Sequence, residues 1–275
     1  MTSISTGSKA MTQVGETIAI VVPPSEQDEC LFSHEKMELK DRANVFPPAG
    51  GANDANLLGK NMESDHISDT QTIIVNDNEE SLRNSPHHLI PGDESWPKTE
   101  LKKWVDKSLD HIKENIGYDV NHPTNGVSLP GSTGYKEGGS PWAGYGSKQD
   151  YARAAMEATS AQFHDRHVAY SRFVVKCLDK ISERLDRRTN AKLSPGCDHE
   201  HCMGQDESKP YNPPYELVPR LNSVASRLRR LLEGSPKNWR MPVFTSRWAL
   251  VYKEGLTEKE ARTKLSAVAK GLNKK

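Results

Sequence analysis

Apolar residues recur at helical spacing in several stretches of this chain and alternate in a few short ones. Leu101, Trp104, Val105, Leu109, Ile112 and Ile116 share one face of a predicted helix from about Lys98 to Ile116, with Gly117 placed to end it. The chain turns helical again near Lys148, through Tyr151–Met156. A long amphipathic run follows, in which Val174, Leu178, Ile181 and Leu185 face inward and Lys176, Asp179, Lys180, Glu183 and Arg184 mostly face out. Leu217, Leu221, Val224, Leu228 and Leu231 trace another helix, and Thr257 with Glu260 has the spacing of a capping box that opens a last one. The β-like runs are short: Thr17–Val22, Thr72–Val75, and Val127–Leu129 after the Asn125-Gly126 turn signal. Pro47–Glu63, with its Pro-Pro and Gly-Gly steps, reads as linker, and Gly131–Gly146 as a Gly-rich loop without the spacing of a nucleotide-binding motif. The expected class is α+β, predominantly helical.

Composition narrows this picture. Only 35% of the 275 residues are hydrophobic, too few for a core along the whole length. The net charge is zero, but residues 1–80 hold 14 Asp/Glu against 5 Lys/Arg, whereas residues 220–275 hold 14 Lys/Arg against 4 Asp/Glu. An acidic extension over 1–80, a central domain over 81–190 and a basic helical segment over 191–275 packed on it are therefore expected. The basic end could face a phosphate backbone or be a solvated helix surface. Four cysteines, Cys30, Cys177, Cys197 and Cys202, are too few and too irregular for a secreted disulfide scaffold. No window approaches a membrane span, and no basic region followed by an apolar run marks a cleavable signal.

The candidate chemistry centres on Asn84-Ser-Pro-His-His-Leu-Ile-Pro91. Side chains alternate along an extended segment, so His87 and His88 are expected to point to opposite sides and to do different work. Downstream stand the Asn125-Gly126 turn, a second short strand, and His164 with His167 just before the long helix or in its first turns. Cys197-Asp-His-Glu-His-Cys202 is a separate candidate. Cys197, His199, His201 and Cys202 are suitable zinc ligands, and Cys30 and His34 could complete a structural Zn2+ site. Cys177 reads as a packing residue, and His111 and His122 as structural or surface residues.

The layout of His87-His88-Leu-Ile-Pro91, Gly117-Tyr-Asp119, Asn125-Gly-Val-Ser-Leu-Pro130 and His164-x-x-His167-x-x-Tyr170 resembles the AHH family of the HNH/endonuclease VII superfamily. That family occurs as toxin domains of bacterial polymorphic and type VI secretion systems. Pro86 stands where the family name specifies Ala, and the two later histidines are three apart where many relatives space them by four. The resemblance implies a ββα-metal nuclease core over about Asn84–Arg188 with catalytic residues His88, His87 and Asn125. His88 would act as general base and Asn125 would fix the loop that orients it. His87, with His164, His167 or both, would hold a divalent ion (Mg2+, Zn2+, Ni2+ or Mn2+).

It further implies a nucleic acid substrate, with DNA expected although the residues do not separate DNA from RNA. The remaining implications are a cognate immunity protein, contact with a secretion-apparatus or chaperone protein, and a path from the producing cytoplasm to a target cell without a cleavable signal. A rival reading is a zinc-stabilised module that binds nucleic acid or protein without catalysis. A metallopeptidase is a weaker one, because His-Glu-x-x-His is absent.

Overall fold

The computed structural model describes residues 53–63, 71–75, 78–82, 84–131, 148–190, 210–214 and 217–273. The Thr17–Val22 run, most of the Gly-rich loop and all six candidate zinc residues (Cys30, His34, Cys197, His199, His201, Cys202) lie outside the described residues.

Helix α1, Ala55–Glu63, precedes a hairpin of β1, Gln71–Val75, and β2, Asn78–Leu82. A second antiparallel pair joins β3, Asn84–His88, to β4, Gly126–Pro130, with His87 opposite Val127 and His88 opposite Gly126. Helices α2 (Lys148–Thr159), α3 (Val168–Asn190), α4 (Leu217–Leu232), α5 (Arg247–Glu254) and α6 (Glu258–Leu272) follow. Helices dominate the described residues, and the two sheets have two strands each, in keeping with the expected α+β class. The predicted cap of α6 is present: the Thr257 side chain accepts from the Glu260 N–H, and the Glu260 carboxylate accepts from the Thr257 N–H.

Two buried apolar clusters hold these elements. One joins Leu89, Ile90, Trp96 and Trp104 to the inward faces of α3 and α4. The other joins Ile73 and Leu82 of the first hairpin to α2, α5 and α6 through Tyr151, Phe163, Trp248 and Ala261. Ala161 belongs to the first cluster and Phe163 to the second, so the segment carrying His164 and His167 runs between the two. Between them Gln162 is fully buried and satisfied: its Nε2 donates to the Leu231 and Val243 carbonyls and its Oε1 accepts from the Thr245 N–H.

Two expectations are corrected. The apolar pattern of 98–116 does not make a helix but a chain of tight turns, Trp96–Lys98, Glu100–Trp104 and Lys107–Leu109. Side chains compete here for the backbone donors a helix would use: Thr99 accepts from the Leu101 N–H, Asp106 from Ser108 and Asn115 from Lys107. Asp110 then adopts the left-handed conformation at φ 58°, which stops helix propagation. Leu101, Trp104, Val105, Ile112 and Ile116 are still buried, but Leu109 is 45% exposed. Asp179 and Asp186 of α3 anchor the turns, accepting from Thr99 Oγ1 at 2.8 Å and Trp104 Nε1 at 3.1 Å.

The second correction concerns the linker. Its last nine residues form α1, which lies directly on the β3–β4 pair. Close approach explains the glycines: a Cβ at Gly59 would come within 2.8 Å of Pro86 Cγ, and one at Gly126 within 2.9 Å of Leu58 Cδ1. Leu58 and Met62 are buried in that contact. Leu58→Ala is expected to lower unfolding free energy by about 2–4 kcal/mol in urea denaturation, the scale of a buried leucine truncation. An unchanged midpoint would mean that α1 is not docked.

Candidate metal centre

Strand alternation sends the two adjacent histidines to opposite environments. His87 turns toward the start of α3, with its Nδ1 3.2 Å from His164 Nε2 and its ring centroid 5.0 Å from that of His167. His88 turns toward the loop before β4, where its Nε2 lies 2.9 Å from Asn121 Oδ1.

The segment before α3 brings the other two imidazoles in. The His164 N–H donates to the Pro130 carbonyl at 2.7 Å, so the backbone beside this ring is an extension of β4. Asp165 N–H donates to the Thr245 carbonyl, and the Ser171 N–H reaches back to the His167 carbonyl as α3 begins. The histidines therefore precede the helix, and it is backbone pairing to β4 rather than helical spacing that aligns them. Each of His87, His164 and His167 offers a ring nitrogen within 4.8 Å of those of the other two, and no other such His/Cys/Asp/Glu group occurs among the described residues.

The electrostatics keep these rings neutral. Burial, then the neighbouring imidazoles, lowers the His87 pKa well below its ordinary value. Burial and His167 push His164 down to about 4. His167 is lowered by burial, opposed by the Glu94 carboxylate. His167 Nδ1 lies 3.1 Å from Ser171 Oγ, whose hydroxyl contacts the Glu94 carboxylate, itself 3.6 Å from Nδ1. With a carboxylate at the end of the chain, Nδ1 carries the proton and Nε2 keeps its lone pair, the arrangement that orients a metal-ligating histidine.

A divalent ion fits this donor set. Three neutral nitrogens converge, and the 3.2 Å between His87 Nδ1 and His164 Nε2 matches the roughly 3.3 Å separating two nitrogens about 2.0–2.1 Å from a tetrahedral ion. His87 Nε2 is buried without a hydrogen-bond partner among the described residues.

On the other side, Asn121 Oδ1 also accepts the Asp54 N–H at 3.1 Å. That second donor identifies the amide oxygen, so His88 donates through Nε2–H and its Nδ1 retains a lone pair. Burial lowers the His88 pKa, with Asn121, Asp93, Asp54 and Asp119 opposing the shift. Asn125 is fully buried and pins the chain leaving β3: its Oδ1 accepts from the Ile90 N–H and its Nδ2 donates to the Ile90 and Val120 carbonyls. Tyr170 donates to the Leu89 carbonyl at 2.6 Å, and His122 caps the Pro123–Asn125 turn. His111 packs edge-on against Trp104, and Cys177 is buried with its thiol pushed up to about 12 by that burial.

Sequence reasoning missed Glu94, Ser171 and Asn121. Glu94 lies in a loop 73 positions before His167, and no periodicity connects them. Asn121 does carry a faint signal, a second Asn four residues before Asn125 in the loop that re-enters the sheet.

Residues 73–195 match the model of AHH, a nuclease family of the HNH/ENDO VII superfamily with conserved AHH. Over this segment the chain is similar to that family. The chain matches no curated protein and no solved structure. All three clustered imidazoles, Glu94 and Asn121 fall inside the AHH segment; Asp54, α1 and α4–α6 fall outside it.

The neutral cluster has a consequence for stability. His164 has a folded pKa near 4 against about 6.5 unfolded. Its contribution is therefore complete above pH 6.5 and is lost as pH falls from 6.5 toward 4, where the unfolded chain binds the extra proton. EDTA-treated protein is expected to lose on the order of 2 kcal/mol from this residue between pH 7 and pH 5. Urea midpoints across that range, compared with those of His164→Asn, measure it; parallel pH profiles for the two proteins would contradict the assignment.

Proposed function

We propose that the AHH segment is a metal-dependent endonuclease that hydrolyses phosphodiesters, with DNA as substrate, and acts as a secreted bacterial toxin. The observation that carries the catalytic reading is the division of labour between adjacent histidines: His87 joins a three-imidazole cluster, while His88 faces the opposite way with Nδ1 unprotonated.

In this reading His87, His164 and His167 hold one divalent ion, which supplies positive charge to the phosphoryl and leaving oxygens. His88 Nδ1 takes the proton from the attacking water. Asn121 orients that ring by accepting from Nε2–H and stabilises the imidazolium that forms. Asn125 acts one step back, fixing the backbone after His88 so that the ring stays in place. Three imidazoles without a carboxylate suit Zn2+ or Ni2+ better than Mg2+ or Mn2+, which favour oxygen ligands.

The toxin role rests on the resemblance to domains of polymorphic and type VI secretion systems. A cognate immunity protein as partner and delivery from the producing cytoplasm to a target cell rest on the same resemblance. No helix among the described residues is long and apolar enough to cross a membrane.

His88→Ala is expected to reduce cleavage of supercoiled plasmid by on the order of 10²-fold or more while the thermal unfolding midpoint is retained. A variant that cuts at the wild-type rate would remove His88 from the mechanism. If His88→Ala melts the domain and the wild type never cuts DNA or RNA, the non-catalytic binding module takes its place. EDTA is expected to abolish cleavage and micromolar Zn2+ or Ni2+ to restore it, and cleavage indifferent to chelation would exclude the metal assignment. Wild-type expression in a bacterial cytoplasm is expected to arrest growth and His88→Ala to be tolerated; equal growth of the two would refute the toxin reading.

A further inference from the structure

A cleft of about 700 Å³ opens beside the imidazole cluster, with His167 in its wall. Lys148, Arg166, Arg172, Arg247, Arg262 and Lys270 line it, drawn from α2, the segment before α3, α3, α5 and α6. Asp165 is the carboxylate in that wall, and it is shared between Lys148 at 3.7 Å and Arg247 at 3.2 Å. Glu258, beside the cleft, bonds to Arg247 and to Arg262. Arg172 donates one guanidinium N–H to the Ala269 carbonyl, which ties α6 to α3. Among the described residues, six cations line the cleft, with Asp165 in its wall and Glu258 beside it. Such an excess repels itself unless an anion enters.

We propose that this cleft binds the phosphodiester backbone of the strand being cut, on one side of the scissile phosphate. The inference rests on the nuclease reading above and adds the surface that the substrate follows, half of whose cations, Arg247, Arg262 and Lys270, stand on α5 and α6 beyond the AHH segment.

The shape of the charge selects a polymer over a compact phosphate. Arg262, Leu265, Ser266, Ala269, Lys270 and Asn273 line the cleft, and their spacing is that of one helical face. Arg262 and Lys270 stand eight residues apart, roughly 12 Å along the axis. Phosphates on one strand of a duplex advance about 3.4 Å each along the helix axis and stand farther apart along the winding strand, so this face spans at least two of them. An isolated phosphate cannot reach both ends. Arg262 is 68% exposed in its pair with Glu258, an ion pair of little strength that a phosphate can displace. The nearness of His167 places the bound backbone next to the cluster that would take the scissile phosphate.

The test uses the full chain carrying His88→Ala in EDTA, so that cleavage is suppressed, and fluorescence anisotropy with a labelled 20-nucleotide single strand and the corresponding duplex. Arg262→Gln with Lys270→Gln is expected to raise Kd on the order of tenfold. The slope of log K against log salt should fall by about 1.4 for the single strand and about 1.8 for the duplex, two fewer phosphate contacts. Lys259→Gln with Lys264→Gln, outside the cleft on the same helix, is expected to leave both unchanged. Equal Kd and slope for the cleft pair and the control pair would overturn the proposal and leave the cleft to an acidic protein surface. Inorganic pyrophosphate that displaces the strand as well, per phosphate, as unlabelled DNA does would overturn the polymer assignment.

Cleavage by the protein with native His88 separates the two readings. If it cuts nucleic acid while the cleft pair binds normally, only the cleft proposal falls. If it never cuts but the cleft pair loses binding, the nuclease reading falls and the cleft is left as a nucleic-acid-binding surface without a scissile phosphate.

Discussion

Three imidazole lone pairs confined to one buried space are the constraint around which the domain is built. His87 Nδ1 and His164 Nε2 share a hydrogen bond at 3.2 Å, but the rings have lost their water and each disfavours a charge on the others, so the surrounding backbone must hold them together. Ladder pairing of β3 with β4 sets the position of His87, and continuation of β4 into the His164 N–H sets the second ring. Glu94 and Ser171 set the third by holding the proton of His167 on the far nitrogen. A cation between the rings would take the lone pairs that converge there and replace the His87–His164 hydrogen bond with coordination.

The same β3 backbone separates the imidazole cluster from His88. One residue further along, the pleat turns His88 to the other face, where Asn121 fixes its tautomer. Asn121 is itself held from outside the AHH segment, since Asp54 N–H donates to its side chain and Asn61 Nδ2 donates to its carbonyl. Helix α1 thus acts as a brace, and the glycines at 59 and 126 let it sit close enough to do so. On the opposite flank Arg229 of α4 donates to the Pro123 and Gly126 carbonyls and steadies the turn into β4. The two-stranded β3–β4 pair is too small to hold its own geometry, and the flanking helices supply what it lacks.

Much of the site was legible because chemistry-bearing residues were dense and ordered: the His pair, the Asn-Gly turn, and His164 with His167. The inward faces of α3 and α4 were equally clear from their apolar spacing. At 98–116 the spacing correctly marked Leu101, Trp104, Val105, Ile112 and Ile116 as core but misassigned the backbone, because Thr99, Asp106 and Asn115 capture N–H groups locally. Helix α1 was hidden by its Gly and Asn content and by a partner surface that exists only once β3 and β4 have paired. Glu94 and Asn121 were hidden because their contacts are made across loops, where no period applies.

Anomalous scattering from crystals grown with Zn2+ tests the central claim most directly. A peak is expected within coordination distance of a ring nitrogen of each of His87, His164 and His167, with His88 outside the coordination sphere and still bonded to Asn121. No peak between those three rings, or a metal ligated by His88, would contradict it.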